Sequence, residues 1–178
     1  MEKLGTVELV GQRLVLRKVR KEDCASLVNG VLNDEEFLYY ASKKKITFEE
    51  QLQKMETIIN NYSDPLYFNW AITLKQGDVI GLTHFRVIDK NDSVEFSYAI
   101  SKAYTGNGYM TEALSLLIDF ALNKLKVNRI QGACVVSNIA SYKVMEKCGM
   151  EKEGLLRKYI RLADGYHDAY MFSKTRNN

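Results

Sequence analysis

Apolar and polar residues along the chain alternate between two periods, and the switches from one to the other outline its elements. "RLVLRKV" (13–19) alternates at period two and predicts a half-buried strand. "KEDCASLVNGVLNDEEFLYY" (21–40) starts acidic and places Leu27, Val28, Val31 and Leu32 at helical spacing, which predicts a first helix. Thr47 and Glu50 in "TFEE" form a capping-box pattern for a second helix, through Gln51 to about Asn60, and Pro65 closes that stretch. Three strand-like runs follow, "YFNWAITL", "DVIGLTHFRVI" and "SVEFSYAI", separated by the turn clusters "KQGD" and "DKND", and they predict an antiparallel meander. "MTEALSLLIDFALNKLK" then lines Ala113, Leu114, Leu117, Phe120, Ala121 and Leu125 along one helix face. "RIQGACVV" predicts a further strand, parallel to "SVEFSYAI" because a helix crosses between them. "NIASYKVMEKCGM" predicts a last helix with Asn138 at its N-cap and Gly149 at its stop, and two strands flank the "ADGY" turn.

Nothing in the 178 residues divides the chain, so residues 1–178 are expected to form one domain. Residue usage is ordinary for a globular protein, and no apolar run approaches the roughly 20 residues of a membrane span. The N-terminus alternates apolar and charged residues and lacks a signal-peptide core, which points to the cytoplasm. Cys24, Cys134 and Cys148 are odd in number and widely spaced beside only two histidines, so neither a disulfide framework nor a metal site is expected. The net charge of +3 is too nearly balanced for a nucleic-acid footprint, and Lys43, Lys44 and Lys45 read as a solvated surface.

One stretch carries chemistry. "AYTGNGYMTEA" (103–113) has two glycines in three positions immediately before strong helix formers. Free N–H groups at a helix start, together with glycines that let an anion approach the backbone, suit a phosphate. The run lacks the lysine of a GxxxxGK phosphate loop, and Thr111 stands where a dinucleotide fingerprint needs Gly or Ala.

The order of elements and a second motif identify the loop by resemblance. The chain resembles the GCN5-related N-acetyltransferases (GNAT), and among them the branch that acetylates ribosomal-protein N-termini (RimJ/RimL type). The family's pyrophosphate loop [Q/R]xxGx[G/A] falls on "TGNGYM", and the branch's continuation "YMTEA" is present. "VEFSYAI" resembles the branch's "AEIGYWI", and "NIASYKVMEKCGMEKEGLLR" resembles "NxxSxxVxEKxGFxxEGxxR". The likeness runs from "GQRLVLRKVRKED" to "GYHDAYMFS", nearly the whole chain. It implies an α/β (α+β) GNAT fold: a mixed central sheet of about six to seven strands, about four flanking helices and splayed parallel strands at the cofactor cleft.

It also implies acetyl-CoA as cosubstrate without a metal, and an amine acceptor, foremost a ribosomal-protein N-terminus. A homodimer is compatible with it; direct nucleic-acid or membrane contact is not expected. The backbone of Thr105, Gly106, Asn107, Gly108, Tyr109 and Met110 would wrap the pyrophosphate, although Thr105 stands where the family has Gln or Arg and Met110 where it has Gly or Ala. Ala99 and Ile100 would pair with the pantetheine arm, and Asn138 would hold one of its amides. Many members place an acidic tyrosine where this chain has Met145, so Ser141, one turn earlier on the same helix face, is the expected partner of the thiol sulfur. Glu95, sharing a strand face with Ser97 and Ala99, is the leading expected acceptor of the amine's proton, through a water, with solvent itself as the alternative. His84 and His167 read as packing or surface residues and Cys134 as a buried small apolar one. Two other functions fit the same loop: acetylation of a small amine such as a polyamine or antibiotic, and acetyl-CoA binding without catalysis.

Overall fold

The computed structural model describes residues 1–176, apart from the side chain of Asp89. Eight strands form one sheet: β1 (Leu9–Val10), β2 (Leu14–Arg17), β3 (Phe68–Leu74), β4 (Val79–Ile88), β5 (Ser93–Ile100), β6 (Arg129–Val135), β7 (Glu151–Leu162) and β8 (Gly165–Thr175). Their spatial order is β1-β2-β3-β4-β5-β6-β8-β7. Every neighbouring pair is antiparallel except β5 and β6, which are parallel, as the helical crossover between them requires. The helices are α1 (Cys24–Leu27), α2 (Glu35–Tyr40), α3 (Phe48–Asn60), α4 (Tyr109–Asp119) and α5 (Ile139–Lys147).

The predicted strands and the mixed sheet are present, with two differences. The sheet has an eighth strand, β1, because two residues are too short to show a period. Its register, Leu9 opposite Leu16 and Val10 opposite Val15, comes from the turn at Gly11. The first helix is not continuous over 21–40. After α1 the chain widens into a π-helical turn, Val28–Leu32, and breaks at Asn33. There the Asn33 side chain bonds the backbone of Ile46 in both directions (2.9 and 2.8 Å), while Asp34, extended, caps α2 by accepting from Glu36 and Phe37 N–H. Asn and Asp compete with the helix for backbone partners, and here they win. The second helix starts at Phe48, inside the capping box that Thr47 and Glu50 make.

Sheet alternation sends side chains to two faces. On one, Leu14, Leu16, Phe68, Trp70, Ile72, Phe85, Val94 and Phe96 pack against Leu114, Leu117, Phe120 and Ala121 on and just beyond α4. Trp70 centres this layer, edge-on to Phe85 (5.2 Å between ring centres) and Phe120 (5.8 Å), with its indole N–H given to Val7 O at 2.7 Å. All six α4-face residues expected from the sequence are buried. On the other face, Val19, Cys24, Leu27, Val31 and Met55 from the α1–α3 region cover Ala71 and Ala99. The three cysteines are buried and unpaired. Among the described residues no cluster of His, Cys, Asp or Glu could hold a metal ion, and no helix is long and apolar enough to cross a membrane.

Gly132 on β6 is required by packing. A Cβ there would lie 2.5 Å from Cζ of Phe96, whose ring covers the strand. Gly132→Ala is therefore expected to destabilise the fold by about 1–3 kcal/mol through overpacking. The check is the urea midpoint at constant m-value; an unshifted midpoint would show that the Phe96 ring moves freely.

Candidate active site

The two parallel strands part company early. β5 and β6 pair only from Ser93 opposite Arg129 to Glu95 opposite Gln131. Above that point β5 stays paired to β4 as far as Ile100, and β6 to β8 as far as Val135 opposite Ala169. The β5 edge from Phe96 to Ile100 thus has no strand beside it. A chain of the right shape could pair there, and Ala99 and Ile100 lie on this edge. On the α5 side, the Tyr98 hydroxyl lies 2.8 Å from Ser141 Oγ. Burial pushes the Tyr98 phenol well above its ordinary value, against the opposing effect of the Ser141 bond, so the phenol keeps its proton. Asn138 caps α5 by accepting from Ser141 N–H at 3.0 Å, which leaves the Asn138 amide N–H groups as its donors. Met145 is 1% exposed and belongs to the core.

At the same end, the chain leaving β5 forms the glycine loop. Gly106 (φ +77°) and Gly108 (φ +76°) are both left-handed, the conformation that favours glycine, and Gly108 is the N-cap of α4. A Cβ on Gly106 would meet nothing within 4 Å, so this surface is open. Among the described residues, the N–H groups of Gly106, Asn107, Gly108, Tyr109 and Met110 have no partner. Together with the α4 dipole they form an anion cradle. Thr105 keeps its hydroxyl on Lys102 O (2.8 Å) and Asn107 turns its amide back onto Thr105 O (3.0 Å), so the loop is braced by its own side chains. Met110, which stands where the family has Gly or Ala, points into the core and is 6% exposed.

Two residues that the sequence did not single out hold this loop. Arg13, at the start of β2, donates to Asn107 O at 2.9 Å and lies over the Tyr109 ring at 4.6 Å. Glu112, in the first turn of α4, accepts from the Arg13 guanidinium (2.8 Å) and from the backbone N–H of Arg13 (2.7 Å) and Leu14 (3.2 Å). Burial pushes the Glu112 carboxyl up, but these bonds outweigh it and hold the group below its ordinary value. The only sequence signal was a glutamate one turn after the glycines; its partner lies 99 residues away.

The opposite face of the gap carries Glu95, Ser97 and Ala99 from β5 and Leu82, His84 and Arg86 from β4, in direct cross-strand register. Glu95 is not free: it accepts from Arg86 at 2.8 Å and from Gln131 at 3.4 Å. The rim is made by α2 and the β7–β8 turn. Tyr39 donates to Asp164 (3.2 Å), His167 lies 2.8 Å from the same carboxylate, and Tyr40 donates to Ser137 O (3.2 Å) just before α5. His84 and His167, read as packing or surface residues, both have polar partners, which the sequence could not reveal because those partners are set by register and by a tight turn. The expected site residues therefore fall at three places along the gap. Thr105, Gly106, Asn107, Gly108, Tyr109 and Met110 lie at the open end of the gap; Ala99, Ile100, Asn138 and Ser141 line its length; and Glu95 marks its closed end.

Residues 13–151 match the Acetyltransferase (GNAT) domain. The chain is 34% identical over 168 residues to an uncharacterized N-acetyltransferase, p20, of Bacillus licheniformis, covering 93% of this chain and 94% of that one. Its fold is similar to that of a GNAT-family acetyltransferase from Bacillus anthracis (TM-score 0.84, 23% identity, 95% and 98% of the two chains). It is also similar to a ribosomal-protein-S5-alanine acetyltransferase from Vibrio fischeri (TM-score 0.84, 21% identity, 97% and 98%). A third neighbour is RimJ of Mycobacterium smegmatis in complex with CoA-disulfide (TM-score 0.84, 20% identity, 95% and 87%). The parted strands, the anion cradle at the head of α4 and the sequence match across both lead to one conclusion: the chain is an N-acetyltransferase of the GNAT family.

Proposed function

We propose that the chain transfers the acetyl group of acetyl-CoA to a protein N-terminal amine, with ribosomal-protein N-termini as the leading acceptor class. The observation that carries the reading is that an unpaired strand edge leads directly into a ring of free backbone N–H groups, a shape suited to an amide-bearing arm with a pyrophosphate at its end. The cradle supports this fit independently of side chains, since both glycines hold left-handed conformations and Gly106 faces open space. The acceptor class is supported by fold neighbours whose substrates are ribosomal proteins, among them the Vibrio fischeri enzyme.

Acetyl-CoA supplies the thioester carbonyl that the amine takes up. The residues of the chain divide the remaining work. The 105–110 backbone holds the pyrophosphate, and the β5 edge at Ala99 and Ile100 aligns the pantetheine arm, with the Asn138 amide as a donor to it. Ser141 Oγ serves the departing sulfur. Its neighbour Tyr98, a neutral phenol 2.8 Å away, can donate to that oxygen, and in that arrangement the serine proton is free to turn towards the gap. Glu95, bonded to Arg86 and Gln131, fixes a negative charge at the closed end on the acceptor side.

Acetyl-CoA should raise the thermal midpoint by mass action, whereas ATP and NADH should leave it unchanged. Gly108→Val should remove that shift while preserving the far-UV spectrum, because a branched side chain opposes the left-handed N-cap and fills the approach to the cradle. An equal shift with ATP would overturn the cofactor reading. Glu112→Gln should weaken acetyl-CoA binding about tenfold, roughly 1.4 kcal/mol, by loosening Arg13 from the loop; calorimetric titration gives the value. Thiol release across a panel of N-terminal peptides and small amines tests the acceptor: preference for a polyamine over every peptide would replace the proposed class.

A further inference from the structure

Building on the proposed acetyl transfer, we infer that the group taking the acceptor amine's proton is His84, reached through Ser97 Oγ. Three polar side chains stand together on the acceptor face at the point where the strands part: Glu95, Ser97 and His84. The Glu95 carboxylate is occupied by Arg86 and Gln131. Ser97 is the exposed member of the three and lies two residues above Glu95, the last β5 residue paired to β6. Its hydroxyl lies 2.9 Å from His84 Nδ1, directly across the β4–β5 ladder. Burial holds the imidazole below its ordinary value, with the charge of Glu95 pulling the other way, so His84 is neutral near pH 7 and has a lone pair to offer.

Glu95 on β5 and Arg86 on β4 share its face, Glu95 being the charge that acts on the imidazole, and its register partner on β3 is neutral Asn69, whose carbonyl accepts from the Tyr62 hydroxyl. The step balances as follows. The ammonium gives one proton to Ser97 Oγ as the serine proton passes to the imidazole, leaving a neutral amine and an imidazolium that faces Glu95. The amine forms its bond to the acetyl carbon as the carbon–sulfur bond breaks. The second amine proton ends on the sulfur, and the imidazolium returns its proton to water. A base with its midpoint below the working pH is in its proton-accepting form for this task.

The sign of the pH dependence follows. Transfer needs neutral His84, so kcat falls as pH drops through a midpoint below 6.5 and is flat above it. His84→Gln should lower kcat by about 10²–10⁴-fold and erase that acidic limb, with KM for acetyl-CoA unchanged. Ser97→Ala should lower kcat less, because water can bridge the same gap. A readout without substrate is the imidazole itself: with only two histidines, proton NMR of the parent and of His167→Gln assigns His84, which should titrate below 6.5 and lower still in Glu95→Gln. Retention of the acetyl-CoA thermal shift shows that each variant is folded; if His84→Gln fails this check, His84→Asn and Ser97→Ala carry the kinetic test. A parental rate and acidic limb in His84→Gln, loss of the limb in Glu95→Gln instead, or titration of His84 above 6.5 overturns the inference while leaving acetyl transfer intact. Absence of transfer by the parent to any amine overturns both.

Discussion

The end of pairing between β5 and β6, one residue beyond Glu95 and Gln131, is the constraint from which the rest follows. An unpaired strand edge leaves backbone N–H and C=O groups that a ligand can bond. The sheet sustains the gap because each parted strand is fully committed elsewhere, β5 to β4 up to Ile100 and β6 to β8 up to Val135. At the start of the gap, one residue beyond the last pair, Phe96 lies close against Gly132 and holds the two strands together there. Above it, the Tyr98 and Ser141 hydroxyls join β5 to α5 across the opening. The cleft is thus fixed at both ends before any ligand arrives, which lowers the ordering cost of binding.

The same economy links the cradle to the sheet. Glu112 belongs to the helix that carries the cradle, and it receives the two backbone N–H groups where β2 begins, as well as the Arg13 guanidinium. Arg13 in turn bonds Asn107 O inside the loop. A depressed carboxyl stabilises the fold above its unfolded value and loses that contribution as pH falls through its folded one. The loop is therefore anchored throughout the neutral range and is released only in acid, where carboxylates elsewhere protonate as well.

Local patterns were legible and non-local ones were not. The α4 face, the capping box at Thr47, the Asn138 cap and the glycine stop at Gly149 each depend on residues within one or two turns, and each is present. The parallel pairing of β5 with β6 followed from the helix between them. The break at Asn33 went unread because the partner of its side chain, Ile46, lies beyond the next helix. The pairs Arg86 with Glu95 and His84 with Ser97 depend on strand register, which the turn "DKND" sets only once it has folded. The position of Glu95 was legible; the identity of its partners was not.

The division between backbone and side chain explains which departures from the family pattern matter. The anion cradle is built from N–H groups, so Thr105 and Met110 can differ from the usual residues: the threonine braces the turn with its hydroxyl, and the methionine turns into the core. Gly106 and Gly108 have no such latitude, because their left-handed backbone is the cradle. The acceptor face works the other way. Tyr39, Tyr40, Asp164 and His167 are joined there through side chains, Tyr40 to the Ser137 carbonyl, on a short helix and beside a tight turn. On the proposed reading, the donor is held by backbone N–H groups and the choice of acceptor falls to side chains on a short helix and a turn.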